Sequence, residues 1–134
     1  MDKLHNSRNA GVNVSANSPK LSCCVFAWNE VATLRSVVDD LRTALDRLGV
    51  SFEVLIIDDG STDGTSEQAD HLVAAHADVR VVHHGVNRGL GGTYRTGLES
   101  ALGEFVTFFP ADGQFPPENL GRLYPLAESW DMVL

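Results

Sequence analysis

Basic side chains are scarce in this sequence. Lys and Arg number 10 against 18 Asp and Glu, giving a formal net charge of −8. So acidic a chain offers no broad cationic surface to a nucleic-acid backbone, which argues against nonspecific nucleic-acid binding. An anionic ligand would need local help from backbone N–H groups, a metal, or the few cations near its site. Cysteine is rarer still, with only Cys23 and Cys24. Adjacent within an apolar segment, they read as buried, reduced core thiols, which fits a cytoplasmic compartment. No apolar run approaches the roughly 20 residues of a membrane-spanning helix, and the N-terminus shows no signal-peptide hydrophobic stretch.

What is present is ordinary for one soluble domain: 134 residues, 43% hydrophobic and 21% charged. A chain of that size buries about two-thirds of its unfolded surface. Residues 1–20, rich in Asn and Ser, read as a flexible leader, and residues 21–134 as the folded part. Leu21-Ser22-Cys23-Cys24-Val25-Phe26-Ala27 reads as a first strand. Val31, Leu34, Val37, Val38, Leu41, Leu45 and Leu48 then form the apolar stripe of a long helix, which Gly49 ends. Phe52-Glu53-Val54-Leu55-Ile56-Ile57 is a nearly continuous apolar run, the mark of a strand buried on both faces of a parallel sheet. Ser61, Thr62 or Asp63 can cap the helix expected over residues 65–76, with Ala69, Leu72, Val73 and Ala75 turned inward.

Val79-Arg80-Val81-Val82-His83 reads as a third strand, and a glycine-dense loop follows it before a helix over residues 93–102. Glu104-Phe105-Val106-Thr107-Phe108-Phe109 reads as the fourth strand; Pro116-Pro117-Glu118 opens another helix, and Asp131-Met132-Val133-Leu134 is a fifth strand. Strands alternating with helices predict an α/β fold: a doubly wound, mainly parallel, Rossmann-like sheet with helices on both faces. A chain that stops inside an apolar strand leads us to expect a domain incomplete at its C-terminus, with an open edge through which it associates.

In such a sheet, ligands bind outside the carboxyl ends of the strands. Four turns bring polar groups to that edge: Asn29 and Glu30; Asp58 and Asp59; Asn87 and Arg88; Asp112 and Gln114. Each alone is ordinary turn chemistry, but together they make a polar crevice. Three decoys fall away. Asp59, Ser61, Asp63, Gly64 and Asp70 approximate a calcium loop, but a strand precedes them where that loop needs a helix, and Asp70 replaces the bidentate Glu. Gly89-Leu90-Gly91-Gly92-Thr93-Tyr94 begins like a dinucleotide fingerprint, but Tyr94 fills a slot that needs a small residue, and the loop follows the third strand. A dinucleotide-dependent oxidoreductase is thus the weakest reading. His83 and His84 are neighbours on a strand and point to opposite faces, so a joint metal site is disfavoured.

The stretches Phe26-Ala27-Trp28-Asn29-Glu30, Asp58-Asp59-Gly60-Ser61-Thr62-Asp63-Gly64-Thr65, Asn87-Arg88-Gly89-Leu90-Gly91-Gly92 and Ala111-Asp112-Gly113-Gln114-Phe115-Pro116 resemble, in order and spacing, the donor half of family-two glycosyltransferases. These are GT-A-fold enzymes that use nucleotide-diphospho-sugars; the last turn is most similar to the polyprenyl- and dolichyl-phosphate sugar transferases. The resemblance implies that Glu30 and the backbone around Ala27 contact the nucleoside, and that Asp59, with Asp58 behind it, holds base or ribose. It implies that Arg88 and the Gly89 and Gly91 backbone line the crevice near the donor, and that Ala111 and Asp112 sit beside the diphosphate. Asp112 would be the residue nearest the chemistry and, with Gln114, a ligand to Mg²⁺ or Mn²⁺. The family carries Asp-x-Asp at this turn, whereas here Pro110 stands in place of the first acid, which implies weakened metal binding. The expected reaction is an inverting transfer of a UDP- or GDP-linked sugar to a polyprenyl phosphate at the cytoplasmic membrane face. The alternative is a GT-A-like module that binds a nucleotide without turnover.

Overall fold

Each strand of the sheet is returned to its starting end by a helix, so all of them run the same way. The computed structural model describes residues 17–132. Strands β1 (Leu21–Ala27), β2 (Phe52–Asp58), β3 (Val79–His83) and β4 (Phe105–Pro110) form one four-stranded sheet in the order β3-β2-β1-β4, with every neighbouring pair parallel. Helices α1 (Leu34–Leu48), α2 (Thr65–Ala75) and α3 (Gly89–Ser100) make the crossovers. A 3₁₀ turn at Pro117–Asn119 leads into α4 (Leu120–Ala127). The chain winds outward from β1 through β2 to β3, then returns to place β4 on the other side of β1. That reversal opens a crevice at the carboxyl ends of β1 and β4.

The larger core lies on one face. Alternate residues Cys23 and Val25 of β1 and Val54 and Ile56 of β2 pack with Leu34, Val38, Leu41 and Leu45 of α1 and Leu72 of α2. Each fully buried leucine contributes about 1.5–3 kcal/mol of transfer free energy. The opposite residues, Cys24, Leu55 and Ile57, make a smaller core with Phe26, Val82 and Phe108. There Tyr94 of α3 stands edge-on to Phe26 and Phe108, with ring centroids 4.8 and 4.7 Å away. Gly97 lets α3 come this close, because a Cβ there would lie 2.9 Å from the Phe108 ring. Burial pushes both thiols up, Cys24 to about 12, so neither is a nucleophile at neutral pH.

Several boundaries differ from the sequence pattern. Helix α1 starts at Leu34 rather than near Val31, which is 38% exposed. Ala75 faces solvent. Helix α3 begins at Gly89, four residues before the expected start, so the glycines form its first turn rather than a loop before it. Pro19 and Lys20, expected in the leader, are tied down: the Glu104 N–H donates to the Pro19 carbonyl, and Lys20 Nζ lies 2.7 Å from Glu104. Residues 1–16 lie outside the described residues. Asp131 and Met132 lie outside any strand, and the other two residues of the expected fifth strand, 133 and 134, are not among those described.

One acid inside the apolar run of β2 has a structural task that periodicity hides. Glu53 is 5% exposed. It accepts from the Ser22 hydroxyl at 2.6 Å, the Leu102 N–H at 2.8 Å and Arg80 Nη1 at 2.6 Å. Arg80 also donates to the Ser100 carbonyl at 3.3 Å, so the cluster fastens the end of α3 to the sheet. Removing one partner of a buried pair strands the other charge. Arg80 itself is 40% exposed, but Arg80→Met would leave the buried Glu53 charge without its cation and should cost roughly 2–3 kcal/mol in urea unfolding, while Lys20→Met, which removes the exposed pair with Glu104 and a contact over the Phe105 ring, should cost ~0–1 kcal/mol.

Candidate functional site at the carboxyl edge of the sheet

The turns after β1 and β2 are locked to each other by side chains. Asn29 takes a left-handed conformation, φ 53°, which Asn tolerates better than most residues. Its Oδ1 accepts from the Thr62 N–H at 2.8 Å, and its N–H donates to Ser61 Oγ at 3.0 Å. The next N–H groups follow suit, Glu30 to Thr65 Oγ1 at 2.9 Å and Val31 to Asp63 Oδ2 at 3.3 Å. Asp63 also accepts from the Thr65 N–H at 3.0 Å and so performs the capping that its position predicted, one residue outside the N-cap Gly64. The Thr33 hydroxyl donates to the Ala111 carbonyl at 2.6 Å, joining this block to the turn after β4.

The two adjacent acids divide their work. Asp58 is 1% exposed and turned inward. Its Oδ1 accepts from the Ser61 N–H at 3.1 Å, and its Oδ2 takes the Ser66 hydroxyl and, at 2.8 Å, His83 Nδ1. Burial opposes its charge, but these hydrogen bonds outweigh that and hold the carboxyl below its ordinary range. Asp59 bonds across to the next crossover. Its Oδ1 accepts from His84 Nδ1 at 2.7 Å and the Arg88 N–H at 2.8 Å, and its Oδ2 from the Gly89 N–H at 3.0 Å. It thereby caps α3, whose N-cap Arg88 supplies no side-chain cap of its own. Burial again pushes up, and the Arg88, His84 and Gly89 bonds again win. Gly60 lies between this turn and the next: its φ is 76°, and a Cβ there would meet the Asn87 nitrogen at 2.8 Å.

Beside Asp59 lies an open cleft of about 310 Å³, at the small end of the ~300–1,000 Å³ that ligand sites occupy. Phe26, Ala27, Trp28 and Leu90 supply apolar walls, and Glu30, Asp59, Asn87, Gly89 and Thr93 the polar positions. The Ala27 carbonyl accepts the Asp59 N–H at 2.8 Å within the sheet. Such a mixture suits a flat group that carries hydrogen-bond donors, and two carboxylates keep phosphate away from this part of the crevice. Arg88 and Gly91 line a different cleft, shared with Gly92, Arg95, Thr96 and Glu99 of α3. Among the expected donor contacts, Glu30, Asp59, Ala27 and Gly89 meet at one cleft; Arg88 joins them through its N–H to Asp59.

At the turn after β4, Pro110 closes the strand opposite Phe26, and the Ala111 N–H donates to the Phe26 carbonyl at 2.8 Å. Asp112 Oδ1 accepts from the Gln114 N–H at 2.9 Å. Ala111 is buried, Asp112 half-buried and Gln114 exposed. No group of three His, Cys, Asp or Glu gathers as a metal cage among the described residues. One carboxylate and one amide oxygen nevertheless fit a hard cation that takes its other ligands from phosphate and water, as Mg²⁺ does. Sequence reasoning missed Thr33 and Thr96 in this region; His84, weighed there only against a metal role, is a satisfied histidine tied to Asp59. The signal in sequence is a polar residue immediately after an apolar strand, as His84 is after β3.

A parallel sheet with a polar crevice at its switch point is an α/β architecture of GT-A type. Solved structures with the same fold include the mannosyltransferase PcManGT from Pyrobaculum calidifontis in complex with GDP-Man and Mn²⁺, at TM-score 0.63 and 23% identity, covering 87% of this chain and 35% of that one. TarS from S. aureus, in complex with UDP-GlcNAc, matches at TM-score 0.65 and 24% identity over 82% of this chain and 31% of that one. Residues 22–133 match glycosyl transferase family 2, and the chain belongs to that family. Relatives include an undecaprenyl-phosphate mannosyltransferase of Micrococcus luteus, 36% identical over 80% of this chain and 44% of the relative. An undecaprenyl-phosphate 4-deoxy-4-formamido-L-arabinose transferase of Aeromonas hydrophila is 34% identical over 84% of this chain and 35% of the relative. The chain thus spans 35–44% of the length of these relatives.

The inward acid gives the site a pH signature. Burial disfavours the charged form of His83, but its bonds to Asp58 and Asp70, at 2.8 and 2.9 Å, hold its pKa above the ordinary 6.5. A raised histidine pKa contributes stability that is complete below 6.5 and is lost as pH rises through the folded value. Asp58 works in the other sense: its share is present above 3.8 and is lost as pH falls through its depressed folded value. Urea midpoints should therefore decline above about pH 6.5. His83→Gln should flatten that alkaline decline; a decline of equal size in the variant would remove His83 from the account.

Proposed function

We propose that this chain forms the donor-binding part of an inverting glycosyltransferase that moves a sugar from a nucleotide-diphospho-sugar to a polyprenyl phosphate. The observation that carries this reading is the match to relatives named as undecaprenyl-phosphate sugar transferases, at 34–36% identity over four-fifths or more of this chain. The nucleoside would lie in the cleft between Trp28 and Leu90, with Glu30, Ala27 and Asp59 as its contacts and Asp58 fixing the turn behind. Gly89 and Gly91 would border the donor's path. Arg88 would act through its N–H on Asp59, with its guanidinium free for an anion on the outer side of α3. The diphosphate would lie at Ala111 and Asp112.

A divalent cation, Mg²⁺ or Mn²⁺, would be held by Asp112 and Gln114 and would supply charge neutralisation to the departing diphosphate. A phosphate acceptor is already ionised near neutral pH, so this chain need provide little general-base help to it. The protein's main contribution would be to stabilise the leaving group with fixed dipoles and to hold donor and acceptor in line. The acceptor would approach from a membrane surface on the cytoplasmic side. No helix among the described residues is long and apolar enough to cross a membrane. A second reading, a nucleotide-binding module without turnover, is favoured by Pro110 where the family has an acid.

Calorimetric titration of Mn²⁺, with and without UDP or GDP, tests the metal assignment. Metal binding should be weak alone and strengthened by nucleotide diphosphate. Asp112→Asn should abolish the nucleotide-linked part, and Pro110→Asp should tighten binding of the metal alone. Nucleotide-linked binding that survives Asp112→Asn would overturn the assignment. Formation of polyprenyl-phosphate-linked sugar by the protein extended to its relatives' length would separate the enzyme from the binding module.

A further inference from the structure

The hydrogen bonds already made to Asp59 decide what else it can bind. A carboxylate offers about four acceptor positions, two on each oxygen. Arg88 N–H and His84 Nδ1 fill both positions on Oδ1, at 2.8 and 2.7 Å, and the Gly89 N–H fills one on Oδ2 at 3.0 Å. His84 is the donor in its bond, because an ionised carboxylate only accepts. In the neutral ring that leaves His84 Nε2 to accept from the Thr96 hydroxyl, 2.7 Å away. The residue is only 5% exposed, and its ring is held at both nitrogens. One acceptor position is left to Asp59, on Oδ2, at a side chain that borders the cleft. Beside it, Asn87 Oδ1 accepts from the Gly89 N–H at 3.0 Å, which leaves the Asn87 NH₂ group as a donor on the same cleft.

We propose that His84, acting through Asp59, is a specificity-determining positioning residue that makes this cleft prefer uracil to guanine. The proposal rests on the reading that the cleft takes the nucleoside of a nucleotide-diphospho-sugar. Uracil presents one N–H, at N3, flanked by carbonyl oxygens. N3–H meets the single open position on Oδ2, and one flanking carbonyl meets the Asn87 amide. The N–H groups covering Oδ1 keep the carboxylate's charge off the other carbonyl. Guanine presents two adjacent donors, N1–H and the 2-amino group, which a carboxylate satisfies only with both oxygens. With Oδ1 filled, the 2-amino group is desolvated without a partner, and a site rejects a ligand on that account far more strongly than for a lost apolar contact. Adenine and cytosine place a ring-nitrogen acceptor where N3–H would be, facing an oxygen that also only accepts.

The test is calorimetric titration of the protein with UDP and with GDP in Mn²⁺ buffer. UDP should bind at least about tenfold more tightly than GDP. His84→Asn keeps an N–H near the position of Nδ1 and should keep that ratio. His84→Leu removes the donor and reopens Oδ1, and should bring the ratio several-fold closer to one. His84→Gln, whose longer amide reaches the level of Nε2 instead, should behave like the Leu variant and serves in its place if the apolar change fails to fold by circular dichroism. Equal binding of the two nucleotides by the unaltered protein, or tighter GDP, overturns the proposal. So does a ratio that survives His84→Leu or His84→Gln, since a merely structural histidine would leave it unmoved. Failure of both nucleotides to bind removes the underlying reading of the cleft, an outcome distinct from binding without preference.

Discussion

The carboxylate of Asp59 ties the sheet to the helix that borders the cleft. Helix α3 is a poor helix by composition, with Gly89, Gly91, Gly92 and Gly97 among its 12 residues. Each glycine costs about 1 kcal/mol relative to alanine in a helix interior. What offsets this is attachment at both ends to one strand. Asp59, just past the end of β2, receives the first free N–H groups of α3. Glu53, near the start of β2, holds Arg80, which grips the Ser100 carbonyl, and takes the Leu102 N–H directly. Charge-assisted bonds to N–H groups at a helix start are among the stronger ones available to a short helix. The glycines can then serve a purpose a better helix former would defeat: Gly97 brings α3 onto Phe108, and Gly89 presents bare backbone to the cleft.

The pairing of Asp58 with Asp59 follows from the pleat. Successive side chains of a strand point to opposite faces, so the two carboxylates that look equivalent in sequence serve opposite sides of the sheet. Asp58 meets Ser66 at the start of α2 and His83, while Asp59 meets His84 and the start of α3. The same alternation sends His83 and His84 apart, and the parallel register sets Asp58 beside His83. One strand end thus supports two helix starts on two faces. Both acids are held in their charged form by hydrogen-bond donors.

The fold was legible because its signals are local. The stripe of α1, the apolar run of β2 and the strand-helix alternation are patterns within a dozen residues, and the structure follows them. The four polar turns do share one edge of the sheet, as parallel strands require. What escaped were contacts between residues far apart in the chain. Thr33 finds the Ala111 carbonyl, Glu53 finds Ser22 and Leu102, and Asp59 finds His84 and the Arg88 N–H. No local period encodes these. The early start of α3 has the same origin, since glycines read as loop until a carboxylate 30 residues earlier in the chain caps them.

The crevice therefore has one firm wall and one softer lip. The turns after β1 and β2 are laced by bonds from Asn29, Glu30, Ser61, Asp63 and Thr65, and the cleft for a flat group is built on them. On the β4 side the lacing thins. Thr33 holds the Ala111 carbonyl, and Phe26 the Ala111 N–H. Past that residue, Asp112 bonds within its own turn to the Gln114 N–H, and Phe115 is 59% exposed. Segments with few buried contacts open at low cost. On the proposed reading, binding at the firm wall would require little reorganisation, whereas ordering the lip would draw on interactions made only when phosphate oxygens and a cation are present. Recognition of the nucleoside and grip on the diphosphate would then be separate energetic events. Pro110 bears on the second, because it stands in the β4 turn where the family has an acid.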